Sequence, residues 1–520
     1  MKKLKINVTQ MFLWLITSVI ALFLAGKWST TKYYFDTDLL WHLKIGEDIL
    51  NTGTIFLENT YTWLDGTIWT QQEWLFDIIL HVIVANFGLA GFYAIHIVSQ
   101  FSLISLSIKK NKYHFALLAP IVFLLMYYYI PFNNVNRPAE YSTYMFVIMM
   151  WLYDKRWKVK PLIYFLCGVL LANFHCGAAV PLLVMMGMLI VFDVILDLAY
   201  RNVGGETPTI TKKFALQYLL SCGTFVLGLC VNPYGFKQVY NMFGVMGLNS
   251  TKYINEWKPF ASSEYIPWII LFGIAISFGY GLLKHKWHKP HVRNILIMCA
   301  FLVLSLTSLK AFIMFFYLFI MYGYKYVDEL LFGILSKLNI PEHIKFKNKK
   351  IPLRMELEYK KVMVKVLLPL CVVFAIFVST YNQGSWENFM THRRGRYVSD
   401  GSIARLKQIE SDAEANGEEI RLLNAYVTGN YLLYYGIDCF IDARQQPYAK
   451  EFGWSSAVDD YFDTDKYSSD ELNEFFDKYD FNYVISNREY NINWYMQQMG
   501  NSWTLIYSDK HEVYIWKRMG

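Results

Sequence analysis

Two aspartates one residue apart, Asp36 and Asp38, stand directly after the first apolar run and just ahead of a helical pattern that begins at Leu39. A carboxylate pair so placed can take a proton from an acceptor hydroxyl or hold a divalent metal. The same position suits Asp38 to cap the helix that follows, because a short acidic side chain accepts from first-turn N–H groups. His42 lies one turn further on, and Glu47 follows it. Glu73 comes next, in Thr70-Gln-Gln-Glu73-Trp74. Arg137, in Asn136-Arg137-Pro138, can grip a lipid phosphate through its planar fork or snorkel as a membrane anchor. Pro138 suits the first turn of a helix. Ala172-Asn-Phe-His175-Cys176-Gly177 interrupts a long apolar stretch, and a His beside a Cys on one turn is too little for a metal site. Asn232-Pro-Tyr-Gly235 is a turn signal that opens the loop carrying Glu256, which suits a site or plain solvation equally. Lys310 and the pair Asp442 and Arg444 complete the set.

The elements that must position these residues are mostly apolar. Of 520 residues, 55% are hydrophobic and 18% charged, a balance unlike that of ordinary soluble chains. About eleven spans of bilayer length are expected. They run near Gln10–Lys27, Gly91–Ile108, His114–Tyr129, Ala139–Tyr153, Leu162–Phe174, Ala178–Ala199, Phe214–Val231, Ile266–Leu283, Asn294–Ser308, Phe312–Lys325 and Val362–Thr380. The first run follows Lys2, Lys3 and Lys5 but lacks a small-residue cleavage site, so it reads as a retained span. Lys- and Arg-rich loops alternate: Lys109 to Lys112, Lys155 to Lys160, Arg201 to Lys213, Lys284 to Arg293 and Lys345 to Lys361. The positive-inside rule places these loops and the N-terminus in the cytoplasm. That holds if Trp74–Leu89, interrupted by Asp77 and His81, lies along the interface rather than crossing. The candidate residues then share the outer face. Charges at span ends are costly unless they meet water, a partner or a substrate, so a cleft there is the leading expectation.

Residues 1–380 thus read as a polytopic α-helical membrane domain with a first outer loop at 28–90. Residues 381–520 read as a small extracytoplasmic α/β domain. In it, helices are expected at Ser402–Ala415, Tyr431–Tyr435 and Ser469–Tyr479. Strands are expected at Arg421–Ala425, Cys439–Ile441 and Asn482–Ser486, with a hairpin from Trp503–Tyr507 and Glu512–Trp516. Asp442-Ala-Arg444 ends one of these strands, where α/β domains usually bind ligands. No glycine-rich phosphate loop is present. Six of seven cysteines lie in or beside apolar runs, which implies no disulfide framework. Basic clusters are short and fall between apolar runs, so nucleic acid is not a partner class.

The order Asp36-Thr-Asp38, His42, Gly46-Glu47, Glu73-Trp74-Leu75, Arg137-Pro138, Asn173-Phe-His175, Asn232-Pro-Tyr-Gly235, Gly429-Asn-Tyr431-Leu and Phe440-Ile-Asp442-Ala-Arg444 resembles large bacterial membrane proteins of the GT-C glycosyltransferase superfamily. The resemblance covers most of the chain as a layout, and the Asp-rich first outer loop is its one motif shared across the superfamily. It implies a GT-C-like fold that takes a sugar from a polyprenyl-phosphate or -diphosphate carrier and transfers it outside the cell membrane. The acceptor would be a glycan, lipid or protein hydroxyl. The role of base or acceptor ligand maps onto Asp36 or Asp38, with His42 beside them. Glu73, Arg137, His175, Glu256, Lys310, Asp442 and Arg444 map to donor phosphate or substrate. Some members use Mg²⁺ or Mn²⁺, for which Asp36 and Asp38 would be the ligands, and others use no metal. The sequence departs from the family in lacking the adjacent Asp-Glu pair of the mannosyltransferases and the Trp-Trp-Asp signature of the oligosaccharyltransferase, so neither activity carries over.

Other classes remain open on the sequence. A surface-polysaccharide polymerase or ligase would share the carrier lipid and rely on outer-loop Arg and His. A lipid or sugar transporter would place ionisable groups at mid-membrane and show paired broken helices, which are not visible here. A non-catalytic relative would keep the scaffold alone.

Overall fold

The computed structural model describes residues 36–56, 61–65, 69–107, 137–155, 160–204, 210–248, 289–308, 311–323, 397–452, 456–488 and 490–519, with scattered residues between 252 and 352. Glu256, Lys310 and the expected spans Gln10–Lys27, His114–Tyr129 and Val362–Thr380 lie outside them, as does most of Ile266–Leu283.

The helical part begins with α1 (Asp38–Thr52), closed by Gly53 in the left-handed conformation, whose N–H reaches the Ile49 carbonyl. Next is α2 (Trp74–Ser107), broken at Gly88, where φ is 54° and ψ is −143°. That break separates the expected interfacial helix from the expected second span. Then come α3 (Pro138–Asp154) and α4 (Pro161–Phe174), each opening on a proline that fits the first turn. They are followed by α5 (Ala179–Gly204), α6 (Lys212–Leu229), α7 (Phe236–Met246), α8 (Lys289–Thr307) and α9 (Phe312–Leu318), the last running into a wider turn at Phe319–Gly323. A short hairpin, β1 (His343–Phe346) and β2 (Lys349–Pro352), stands apart.

The described residues do not carry the expectation of eleven spans. Two helices among them, Cys176–Arg201 and Lys289–Thr307, are long and apolar enough to cross a membrane. Others, such as the 14-residue α4, fall short of the roughly 20 residues a 30 Å hydrocarbon layer needs. The outward faces are nonetheless apolar: Leu162, Leu166 and Leu170 on α4, Val184, Val191 and Leu198 on α5, and Leu216, Leu219 and Leu227 on α6 are all exposed. Apolar area on that scale has to be covered by lipid or by another protein.

Inside, the helices pack around Phe146, Met150, Tyr153, Tyr164, Met185, Tyr218, Phe225, Phe301 and Phe315. α4 and α6 meet backbone to backbone. A Cβ on Gly168 would sit 2.3 Å from the Phe225 carbonyl oxygen, and one on Gly228 would sit 2.2 Å from that of Phe165. Thr224 Oγ1 donates to the Pro161 carbonyl at 2.8 Å across the same interface. Small residues with a bridging hydroxyl are what helix pairs in an apolar medium use, since burial of side chains gains little there. One end of the bundle is tied by ions: Arg293 reaches Asp154 at 2.6 Å and Asp193 at 3.3 Å, and Lys289 reaches Asp197 at 3.1 Å. The candidate residues lie at the other end of α3, about 25 Å away at 1.5 Å per residue.

The C-terminal part contains α10 (Asp400–Asn416), β3 (Leu422–Leu423), α11 (Tyr426–Tyr434), α12 (Ala457–Asp463), α13 (Ser469–Tyr479), β4 (Tyr483–Asn487), α14 (Asn491–Gln498), β5 (Trp503–Ser508) and β6 (Val513–Arg518). The sheet order is β3-β4-β6-β5, with β3 parallel to β4 and the rest antiparallel. α10 and α13 begin with Ser399 and Ser468 in reciprocal capping boxes. α12 and α14 are short helices absent from the sequence expectation. The expected strand at Cys439–Ile441 does not join the sheet. Cys439 instead bridges in parallel to Thr62 of the first loop, and the Asn424 side chain accepts from Phe440 N and donates to the Ile441 carbonyl.

The first loop is built into this domain. Leu40 of α1 packs in the cluster formed by Leu406, Tyr431, Leu432 and Ile485. Trp41, Ile45, Ile49 and Tyr61 enclose Leu433. Trp63 stacks on Phe440 and donates from Nε1 to the Leu422 carbonyl at 3.0 Å.

Candidate functional site

The helix start at Asp38 decides the first cluster. Thr37 precedes α1 without a side-chain cap, so the expectation that Asp38 caps this helix is corrected. Asp36 takes that part: its Oδ1 accepts from the Asp38 N–H at 3.1 Å and its backbone carbonyl accepts from Leu39 N. Asp38, in the first turn, turns its carboxylate aside. Arg137, extended just ahead of α3, reaches both: its Nε lies 3.0 Å from Asp36 Oδ2, and a terminal nitrogen contacts Asp38 Oδ2. The second Asp38 oxygen accepts from the Asn430 side chain at 3.2 Å.

Asn430 is the link to the C-terminal domain. Its Nδ2 also donates to Thr37 Oγ1 at 3.1 Å, and its Oδ1 accepts from Ala443 N at 3.0 Å. α11 can approach this closely because Gly429 has no side chain; a Cβ there would lie 2.0 Å from the Ile441 carbonyl oxygen.

Asp442 and Arg444 flank Ala443 and pair with each other. Both side chains are buried, and Arg444 donates to Asp442 from Nε at 2.9 Å and from a terminal nitrogen at 2.6 Å. Tyr448 OH donates to the same carboxylate at 2.6 Å. The guanidinium also sits over the rings of Tyr61 and Trp69, at 5.1 and 5.0 Å. Burial opposes its charge, but the neighbouring Asp442 more than offsets that and holds its pKa up. The pair lies in the junction between the first loop and the domain, where Tyr61 and Trp69 cover it.

The second cluster lies one turn further along α1. His42 Nδ1 meets Asp77 Oδ1 at 2.5 Å, and its Nε2 stands 3.8 Å from Glu73 Oε2. The other Glu73 oxygen stands 3.4 Å from His175 Nε2, and His175 Nδ1 bonds Ser142 Oγ at 2.7 Å. α1 and α2 come close enough for the His42–Asp77 contact because of Gly46, where a Cβ would lie 2.2 Å from the Asp77 carbonyl oxygen. Burial, then the neighbouring His175, pushes the His42 imidazole well below its usual range. Burial, then Glu73, lifts the Asp77 carboxyl well above its own. Both shifts favour the neutral pair, in which Asp77 donates to Nδ1 and Nε2–H points to Glu73.

His175 gets its position from the end of α4, where its backbone leaves the helix (φ −169°, ψ 84°). Asn173, two residues back, accepts from Trp74 Nε1 at 2.9 Å and donates to the Val231 carbonyl at 2.9 Å, fixing the start of α2 and the chain just past α6 to the same corner. In the Asn232-Pro-Tyr-Gly235 turn the Asn232 side chain accepts from Tyr234 N, and Tyr234 OH accepts from Gln71 N at 3.2 Å. The turn therefore supports the segment that carries Glu73.

Six of the sequence-selected residues thus converge in two adjacent groups, Asp36, Asp38 and Arg137, then His42, Glu73 and His175. Sequence reading did not select Asp77 or Ser142 for the site, and it carried Asn430 only as part of the Gly429-Asn-Tyr431 motif. A signal existed for Asp77: Glu73, Asp77 and His81 recur every four residues, on one face of a helix.

Mg²⁺ or Mn²⁺ does not fit this arrangement. Among the described residues no three His, Cys, Asp or Glu side chains group as a metal site, and the Arg137 cation occupies the side of Asp36 and Asp38 that a metal would need.

No family model and no curated protein matches the chain. Among solved structures, it is similar to the apo form of the Archaeoglobus fulgidus oligosaccharyltransferase, at 12% identity and a TM-score of 0.48, over 91% of this chain and 69% of that one. At that similarity neither fold membership nor activity follows for this chain.

Proposed function

We propose that this chain is a GT-C-type membrane glycosyltransferase that moves a sugar from a polyprenyl-phosphate carrier to a hydroxyl acceptor on the outer face of the membrane. One observation carries the reading. A guanidinium is gathered by Asp36 and Asp38, and one turn along α1 from Asp38 lies His42, which with His175 flanks the Glu73 carboxylate, all at the end of an apolar helical bundle. Transfer from a phosphate-linked sugar needs a cation where leaving-group charge develops and a proton acceptor for the attacking hydroxyl. The apolar outer faces of α4, α5 and α6 supply a surface along which a polyprenyl tail can lie. The charge pattern of the loops favours the N-terminus and the Lys345 to Lys361 loop inside and the C-terminal domain outside.

Arg137 has the fork to hold a phosphate, and its aspartates fix the direction in which that fork points. The test uses purified full-length protein and undecaprenyl-phosphate-linked hexoses, with release of undecaprenyl phosphate as the readout. Arg137→Ala should raise KM for the donor or abolish turnover while expression holds, and Arg137→Lys should recover only part. Wild-type protein that releases no carrier from any hexose donor would leave the non-catalytic scaffold or the polymerase-like reading in front. Full activity in Arg137→Ala would make Arg137 an anchor.

A further inference from the structure

Asn430 is a buried amide in an otherwise apolar contact. Its neighbours on α11 are buried hydrophobics: Tyr431 and Leu432 share a cluster with Leu40 of α1, and Leu433 shares one with Trp41, Ile45 and Ile49. Burying an amide among such residues is costly unless its polar atoms find partners. Asn430 has three. Its Nδ2 donates to Thr37 Oγ1 and Asp38 Oδ1 at the start of α1, at 3.1 and 3.2 Å, and its Oδ1 accepts from Ala443 N at 3.0 Å. Turned over, the amide would set its oxygen against the Asp38 carboxylate and an N–H against that of Ala443, so these partners fix its orientation.

Both ends of this bridge are anchored. On the domain side, Ala443 lies between the mutually bonded Asp442 and Arg444, and Gly429 lets α11 press against the Ile441 carbonyl. The Asn424 side chain holds the same stretch through Phe440 N at 2.7 Å and the Ile441 carbonyl at 2.8 Å. On the other side, Asp38 Oδ1 meets Asn430 while Asp38 Oδ2 meets a terminal nitrogen of Arg137. A carboxylate is a rigid plane, so holding one oxygen sets the direction of the other. An acidic group in a first turn is otherwise drawn toward the N-terminal end of its own helix. Here its direction is tied to the C-terminal domain.

We infer, on the basis of the phosphate role proposed above for Arg137, that Asn430 is a positioning residue for that arginine. It acts through Asp38, and it makes the seated C-terminal domain part of the site that receives the carrier phosphate. A guanidinium fork meets a phosphate well only in a restricted geometry, and the Asp38 carboxylate helps to set that geometry. A shift of α11 against α1 therefore turns the fork without touching Arg137 itself.

The test measures the Kd of undecaprenyl phosphate and the donor KM for full-length wild type, Asn430→Ala, Asn430→Asp, Asp38→Ala and Arg137→Ala. It adds the two double variants that join Asp38→Ala to each change at position 430, with melting temperatures alongside. Asn430→Ala should raise Kd and KM by a factor on the order of 10, the size expected for losing one hydrogen bond to a charged group. Asn430→Asp keeps the shape and the acceptor for Ala443 N but sets a second carboxylate against Asp38, so it should weaken binding at least as much. It carries the comparison if the alanine variant misfolds. Once Asp38→Ala is present, either change at position 430 should move Kd by less than about twofold, even where it lowers the melting temperature further. A merely structural role would instead multiply the two losses. Multiplied losses in either double variant, or a wild-type Kd in the single variants, overturn the role of Asn430 while the transfer reading stands. A wild type that does not bind the carrier, or an Arg137→Ala variant that binds it as wild type does, overturns both.

Discussion

Arg444→Met is the perturbation whose size follows most directly from the structure. The guanidinium donates to Asp442 from Nε and a terminal nitrogen, at 2.9 and 2.6 Å, with the two side chains 1% and 0% exposed. Methionine keeps much of the volume and removes the charge. Asp442 is then left in the junction with the position-444 N–H, Tyr448 OH and the Cys439 thiol as donors, none of them charged. Breaking one side of a buried pair costs about 3–5 kcal/mol, because an uncompensated charge stays behind. Asp442→Leu should cost a similar amount by stranding the cation. In the double variant no charge is left, so the loss should be smaller than that of either single change. At roughly 2–4 °C per kcal/mol, each single variant should melt about 6–20 °C lower. The assay is thermal unfolding of full-length protein in detergent, with limited proteolysis to see whether the first loop has come away from the domain. Freed Ala443 would also loosen Asn430 and with it Asp38, so Arg137-dependent carrier binding should weaken in step. Single-variant losses under about 1 kcal/mol, or a double variant worse than both, would refute the reasoning and return Asp442 and Arg444 to the list of groups that meet a ligand.

Two further outcomes follow from packing and protonation. Gly228→Val should force α4 and α6 apart at the Phe165 carbonyl and destabilise by about 1–3 kcal/mol, seen as a lower melting temperature; an unchanged one would mean the two backbones are not in contact. The His42–Asp77 pair sets a pH dependence. Asp77, raised from 3.8, favours the folded state below that value and loses the advantage as pH rises through its folded pKa. His42, lowered from 6.5, does so above 6.5 and loses it as pH falls. The two contributions run in opposite directions, since the folded chain binds the Asp77 proton more tightly and the His42 proton less tightly than the unfolded one. Asp77→Asn should therefore remove the loss of stability on the alkaline side and leave the His42 loss as pH falls below 6.5. Identical profiles for the two proteins would show that the pair is not neutral.

Much of this architecture was local information. Proline at the first position of α3 and α4, serine caps before α10 and α13, and the alternating strands of the C-terminal hairpin mark their own boundaries, because each acts on backbone groups within a few residues. Glu73, His175, Asp36 and Arg137 stood out in the sequence for a similar reason: a charged or titratable side chain beside an apolar run is conspicuous on its own. What they do to one another was not legible. Asp36 and Asp38 look alike as neighbours in sequence, and the choice between proton acceptor and Arg137 holder depends on a helix start at Asp38 and on an arginine a hundred residues away. Asp77 reads as an interruption of an apolar helix until Gly46 lets α1 approach and His42 covers it. Cys439 to Ile441 has the composition of a strand, but the sheet takes β6 beside β4, and Asn424 and Thr62 supply the hydrogen bonds instead. Asp442 and Arg444 sit where a strand-end ligand site is expected, and they fill a junction because the first loop, nearly four hundred residues earlier, closes over them with Tyr61 and Trp69. Sequence determined which residues carry charge and where the proline-led and serine-capped helices begin. Tertiary structure decided which carboxylates are already spoken for, since an oxygen's readiness to take a proton depends on donors that arrive from other parts of the chain.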